Sequence, residues 1–165
     1  MRDSWRASPG RPGEGAPPHT QWPGDGGRDD PALATFLAGQ EPFPGDIAAA
    51  HNDMLAGAVG LLERIGPSVL LTHSFGGGFG WLARSECPSL VRAVVTVEPA
   101  GPPFVTLGHG AADAATAGYL RSCGADVDEL RLGELGLLGN GHAMMLEKNN
   151  AEIAALITDW IVKHL

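Results

Sequence analysis

The sequence predicts an α/β fold built on one parallel βαβ unit. Three observations lead there. A short apolar run, Ser68 to Leu71, enters a tight glycine turn, Thr72-His73-Ser74-Phe75-Gly76-Gly77-Gly78, and a helix-like stretch, Phe79 to Ser85, leaves it. A β-branched run, Val91 to Val97, follows at crossover distance. Amphipathic helical stretches flank both. The expected sheet is short and mostly parallel, with helices on its sides.

The 165 residues suit about one domain, and a hydrophobic content of 44% suffices for a core. Residues 1–30 are rich in Gly, Pro and charge. They are expected to be disordered or loosely attached, because they cannot bury enough apolar surface to offset ordering entropy. His19-Thr20-Gln21-Trp22-Pro23-Gly24 is the exception, since its tryptophan can dock on a core. The folded domain is expected over 31–165.

Pro31 to Ala38 reads as a short helix, broken by Pro42 and Pro44. Asp46 is a candidate N-cap for a helix to Ile65. Its apolar stripe is Ile47, Ala50, Met54, Leu55, Ala58, Leu61, Leu62 and Ile65, and Gly66-Pro67 stops it. After Val97, Glu98-Pro99 closes the second strand. Further elements are a strand at Phe104 to Leu107, a helix at Ala111 to Ser122 and an edge strand at Val127 to Leu132. A glycine-rich loop, Gly133 to His142, leads to an amphipathic helix at Asn149 to Leu165. Asn149 and Glu152 have capping-box spacing. Ile153, Leu156, Ile157, Trp160 and Ile161 form the buried face.

Composition excludes several function classes. A net charge of −8, with Lys and Arg scattered, opposes nucleic-acid or anionic-membrane binding through basic patches. Cys87 and Cys123 make neither a disulfide framework nor a CxxC metal motif. There is no apolar h-region and no run long enough for a membrane span, so the sequence reads as cytoplasmic. Gly76 and Gly78 could begin GxGxxG, but Trp81 occupies the third glycine position, which opposes dinucleotide binding. P-loop, HExxH and EF-hand patterns are missing, and Met144-Met145 reads as core or pocket wall.

A serine at the apex of a strand–turn–helix is the pattern of a nucleophile elbow, Gly-x-Ser-x-Gly. Thr72 stands at the first glycine, and Ser74, Phe75 and Gly76 fit the rest. A serine nucleophile needs a base, and the base needs an orienting acid. The downstream histidines are His109, His142 and His164. His164 falls in the last helical turn, where it caps the dipole. His142, in Gly139-Asn140-Gly141-His142, lies in the loop before the last helix and is favoured over His109. The acid candidates are Glu98, Asp113 and Glu134. Glu98 ends a strand expected to run beside that of Ser74, which brings both to the carboxyl edge where α/β sites form.

Four blocks together resemble an esterase-like branch of the α/β-hydrolase superfamily. They are His19 to Gly24, Leu71 to Gly77, Val97 to Phe104 and Gly139 to Asn150. The resemblance implies a partial α/β-hydrolase fold and a carboxylic-ester hydrolase. It implies Ser74 as nucleophile, His142 as base and Glu98 as acid, and so selects Glu98 where spacing alone does not. The Phe75 N–H would be one oxyanion-hole donor, and the substrate a small-molecule ester, with neither metal nor organic cofactor.

The sequence also departs from that family. No strand-rich region precedes Asp46 to supply the second oxyanion donor. Only Pro99 to Pro103 separate the Glu98 strand from Phe104, too few for a parallel crossover. The chain therefore reads as truncated and internally deleted, with a non-catalytic remnant as the alternative to an enzyme. An unpaired sheet edge would favour self-association.

Overall fold

The computed structural model describes residues 18–42, 44–100 and 111–165, with side chains of the last segment from 115 onward. The strand expected at Phe104 to Leu107, His109 and most of the N-terminal segment lie outside the described residues. The chain forms two compact units. One comprises residues 1–43 and 130–164, the other residues 44–129 and Leu165.

The second unit holds the sheet. Helix α2 (Ile47–Ile65) starts at Asp46, whose side chain accepts from the Ala49 N–H at 2.9 Å. It ends at Gly66, where φ is +84°, a value glycine adopts without a Cβ penalty. Strand β1 (Ser68–His73) follows, then a 3₁₀ turn over Ser74–Gly76, helix α3 (Gly77–Glu86) and strand β2 (Val91–Val97). The strands are parallel, pairing Val69 with Ala93 through His73 with Val97, with a bulge at Ser68. They are the only strands among the described residues. Helix α4 (Ala111–Ser122) lies where the sequence predicts it.

The core of this unit is Ala58, Leu62, Ala83 and Val91, with Leu55, Leu70, Phe79 and Val94 packed against it. The apolar stripe of α2 is therefore used over only part of its width. Leu62 is 1% exposed, whereas Leu61 is 54% exposed and Ile65 also faces solvent. Leu71 on β1 is likewise exposed.

In the first unit, helix α1 (Pro31–Ala38) begins with proline at the position that tolerates it. Its N-cap, Asp30, is buried. The Asp30 carboxylate accepts from Ala32 N–H at 2.8 Å, Gly26 N–H at 2.8 Å and Trp22 Nε1 at 2.7 Å. Trp22 is itself buried and meets Phe36 edge to face at 6.2 Å. The described residues just before 31 thus pack around Trp22. Helix α5 (Asn150–His164) buries Ile153 and half-buries Leu156, Ile157, Trp160 and Ile161. His164 Nδ1 lies 2.8 Å from the Trp160 carbonyl, and its ring stacks on Trp160 at 4.5 Å, as a residue closing a helix C-terminus should.

Two local expectations are corrected. Val127 to Leu132 is not a strand. The Arg121 guanidinium takes the Val127 carbonyl (3.1 and 2.8 Å) and pairs with Glu129 at 2.8 Å, and turns begin at Arg131. With two guanidinium N–H groups on it, the Val127 carbonyl has both lone pairs engaged and none left for a ladder. The capping box at Asn149 does not form either. The Asn149 carboxamide exchanges hydrogen bonds with Asn140, accepting at 2.7 Å and donating at 3.0 Å.

The split within the α2 stripe has a measurable outcome. Leu62→Ala should cost about 2–5 kcal/mol in denaturant unfolding, and Leu61→Ala less than about 0.5 kcal/mol. Equal losses would contradict the packing. A second outcome concerns pH. The Trp22 hydrogen bond, aided by the backbone donors and opposed by burial, holds the Asp30 carboxyl below its usual range. A carboxylate depressed on folding stabilises above its unfolded value and loses that contribution as pH falls through its folded one. The difference in melting temperature between the native chain and Asp30→Asn should therefore be full near neutrality. It should shrink below about pH 4.

Candidate active site

The register of the two strands decides where the candidate residues fall. His73 pairs with Val97, so the next residues, Ser74 and Glu98, leave adjacent parallel strands at the same carboxyl edge. Both leave in the same unusual way. Ser74 has φ +51° and Glu98 φ +41°, and they are the only non-glycine residues with positive φ among those described. That region costs an L-residue about 1–2 kcal/mol. It persists only where the surroundings over-determine it, and such residues cluster at functional sites.

The surroundings can be named. The Ala100 N–H donates to the Ser74 carbonyl at 2.9 Å, tying the turn after β1 to the turn after β2. Gly77, buried at the start of α3, lies so near Pro99 that any Cβ would collide with it. Gly80 faces Val94 and Thr72, where a Cβ would lie 3.0 Å and 3.1 Å from their methyl groups. This accounts for the departure at Thr72. It is the last but one residue of an extended strand, and its buried side chain fills space that Gly80 leaves open.

Phe75 follows Ser74 inside the 3₁₀ turn, and its ring stacks on the buried His51 imidazole at 4.7 Å. The turn runs directly into α3. The first peptide N–H groups of that helix therefore carry the positive end of its dipole beside Ser74.

His142 belongs to the first unit. Its loop is fixed on both sides. The Gly139 carbonyl accepts from Thr20 N–H at 2.9 Å and Gln21 N–H at 3.1 Å, and Gly139 (φ +80°) leaves no room for a Cβ against Thr20. Gly141 N–H donates to Glu147 Oε1 at 2.7 Å. Asn140 Nδ2 donates to Glu147 Oε2 at 2.5 Å. His19 Nε2 meets Glu147 Oε1 at 2.7 Å. The structure thus brings Ser74, Phe75 and Glu98 to one sheet edge of one unit, and sets His142 on a braced loop of the other.

Sequence reasoning included His19 and Glu147 in the blocks it singled out but gave them no role. The available signal was an acidic residue five positions after His142, in a loop otherwise apolar up to that point. A surface depression of about 310 Å³, bordered by Gln21, Leu138, Lys148 and Glu152, contains none of the four candidate residues. Cys87 and Cys123 are free thiols.

No family model matches the chain. A curated fungal protein, "probable secreted lipase phiG" (strain ATCC 74256), is 31% identical over 216 residues, taking in 88% of this chain and 59% of its own length. A solved structure, that of a novel bacterial esterase at atomic resolution, superposes with a TM-score of 0.74 at 24% identity. That match covers 97% of this chain and 55% of the other. The chain shares part of the fold of the bacterial esterase. It spans somewhat over half the length of each relative. The stretch matched in the fungal lipase is longer than the whole chain, so the lipase holds inserted segments within the matched region. Among the described residues, no helix is long and apolar enough to cross a membrane.

The backbone at Ser74 can be tested apart from any activity. Ser74→Gly relieves the positive φ at the expense of unfolded-state entropy. It should leave stability unchanged or raise it by up to about 1 kcal/mol. Gly77→Ala should lower stability by about 1–3 kcal/mol through the Pro99 collision. Thermal unfolding of the two variants checks this, and a marked loss in Ser74→Gly would contradict strain at the turn.

Proposed function

We propose that this chain is a serine hydrolase acting on carboxylic esters. The observation that carries the proposal is the pair of strained residues, Ser74 and Glu98, side by side at the carboxyl edge of the sheet. The fungal lipase and the bacterial esterase support the reaction class.

In this reading Ser74 Oγ attacks the ester carbonyl. The His142 imidazole takes the hydroxyl proton as the C–O bond forms, then delivers it to the departing alkoxide oxygen. The Glu98 carboxylate orients the ring and stabilises its protonated state. The tetrahedral oxyanion receives the Phe75 N–H, with the start of α3 adding favourable potential. Water, deprotonated by His142, then attacks the acyl-serine ester, and Ser74 recovers its proton. The mechanism requires the His142 ring within hydrogen-bond reach of Ser74 Oγ. It uses no metal or organic cofactor.

One donor accounts for part of an oxyanion hole, and loss of a donor typically costs about 10²–10³ in rate. Turnover of an activated short-chain ester should accordingly be slow, with a burst equal to the active enzyme. Ser74→Ala should abolish the burst and labelling by a fluorophosphonate probe. His142→Ala should lower turnover at least about 10³-fold, since triad members act as a unit. Folded native chain that neither bursts nor takes the probe would instead favour the alternative, a hydrolase remnant that no longer catalyses.

A further inference from the structure

The Glu147 carboxylate belongs to none of the steps above, yet it is the most enclosed acidic group at the loop that carries the base. Its side chain is 1% exposed. A buried carboxylate is costly unless donors satisfy it. Here three converge: the backbone N–H of Gly141, the carboxamide of Asn140 and the imidazole of His19. Two come from the residues immediately before His142. The third comes from a segment more than a hundred residues earlier. Because an ionised carboxylate only accepts, His19 Nε2 must carry the proton it shares with Glu147.

Asn140 is held again from the other side by its reciprocal pairing with Asn149, and Lys148 N–H donates to the Gln21 carbonyl at 2.9 Å. The loop is therefore clamped to residues 19–21 and 147–149 just before the candidate base. A carboxamide in place of Glu147 could not satisfy the set, because its NH₂ group would face a donor.

We infer that Glu147 is a positioning residue for His142, fixing the direction in which the Gly139–His142 loop presents the imidazole. His19 and Asn140 are its auxiliaries. This rests on the reading of His142 as the base, and the experiment separates the two. The variants are Glu147→Gln, His19→Gln, His19→Ala and Asn140→Ala. Each is measured by ester kinetics and by NMR of the His142 ring in selectively labelled protein, with circular dichroism reporting the fold.

Glu147→Gln should lower kcat about 10- to 100-fold, with KM within about twofold, as for loss of a buried partner that orients a reacting group. The His142 ring resonances should shift and broaden. His19→Gln, which retains a side-chain N–H donor, should stay near native, whereas His19→Ala should lose part of the rate. Should Glu147→Gln fail to fold, Asn140→Ala carries the same comparison with the carboxylate kept. Folded variants whose His142 resonances and kcat both match the native chain would overturn the inference. Resonances that move while kcat does not would uphold the positioning and reject His142 as the base.

Discussion

The site half of this molecule depends on one constraint. Two parallel strands end in register, and the chain must turn sharply at both ends at once. β1 leaves through Ser74 and β2 through Glu98, each in left-handed backbone. Neither turn is self-supporting, since a serine or a glutamate at positive φ relaxes unless neighbours forbid it. The restraint is mutual. The Ala100 N–H grips the Ser74 carbonyl, and α3 comes so close that Gly77 touches Pro99. Toward the other end of the strands, Leu62, Ala83 and Val91 hold helix to strand.

Much of this was legible in the residues. Ser68 to Leu71 and Val91 to Val97 are β-branched or aliphatic runs of strand length, and the turn between β1 and α3 carries its own glycine signature. Aspartates 30 and 46, both at helix starts, obey capping chemistry that is local in sequence. What failed was non-local. Val127 to Leu132 reads as an edge strand, yet Arg121 engages one of its carbonyls. Asn149 and Glu152 have the spacing of a capping box, yet Asn140 claims the Asn149 side chain. In each case a residue outside the motif competed for the same polar group. Positive φ at Glu98 had no sequence signal at all, because Glu98-Pro99 is compatible with an ordinary strand end. The site was read the same way: Ser74 announces itself through its turn, while Glu147 shows its place only when His19 is brought beside it.

The four blocks that resemble an esterase-like hydrolase sort themselves in space. His19 to Gly24 and Gly139 to Asn150 fold against each other in one unit through the Gly139 carbonyl and Glu147. Leu71 to Gly77 and the Val97 to Ala100 part of the third block meet in the other through β pairing and the Ala100 bond. Each unit therefore contains a first and a second partner from widely separated sequence. Segments present within the matched region of the fungal lipase and missing from this chain need not disturb either pairing, because both are made by residues that the chain retains.

The two units are held by different physics. The sheet unit relies on a small aliphatic core. The other buries few large apolar side chains (Trp22, Met144 and Ile153 among them) and sets two carboxylates inside, Asp30 and Glu147. Apolar burial is non-directional and hardly senses pH, whereas a buried carboxylate fixes its donors in direction and depends on ionisation. Packed aliphatic side chains give the sheet unit stiffness without direction. A carboxylate with three donors gives the Gly139–His142 loop a fixed direction where an apolar contact would not.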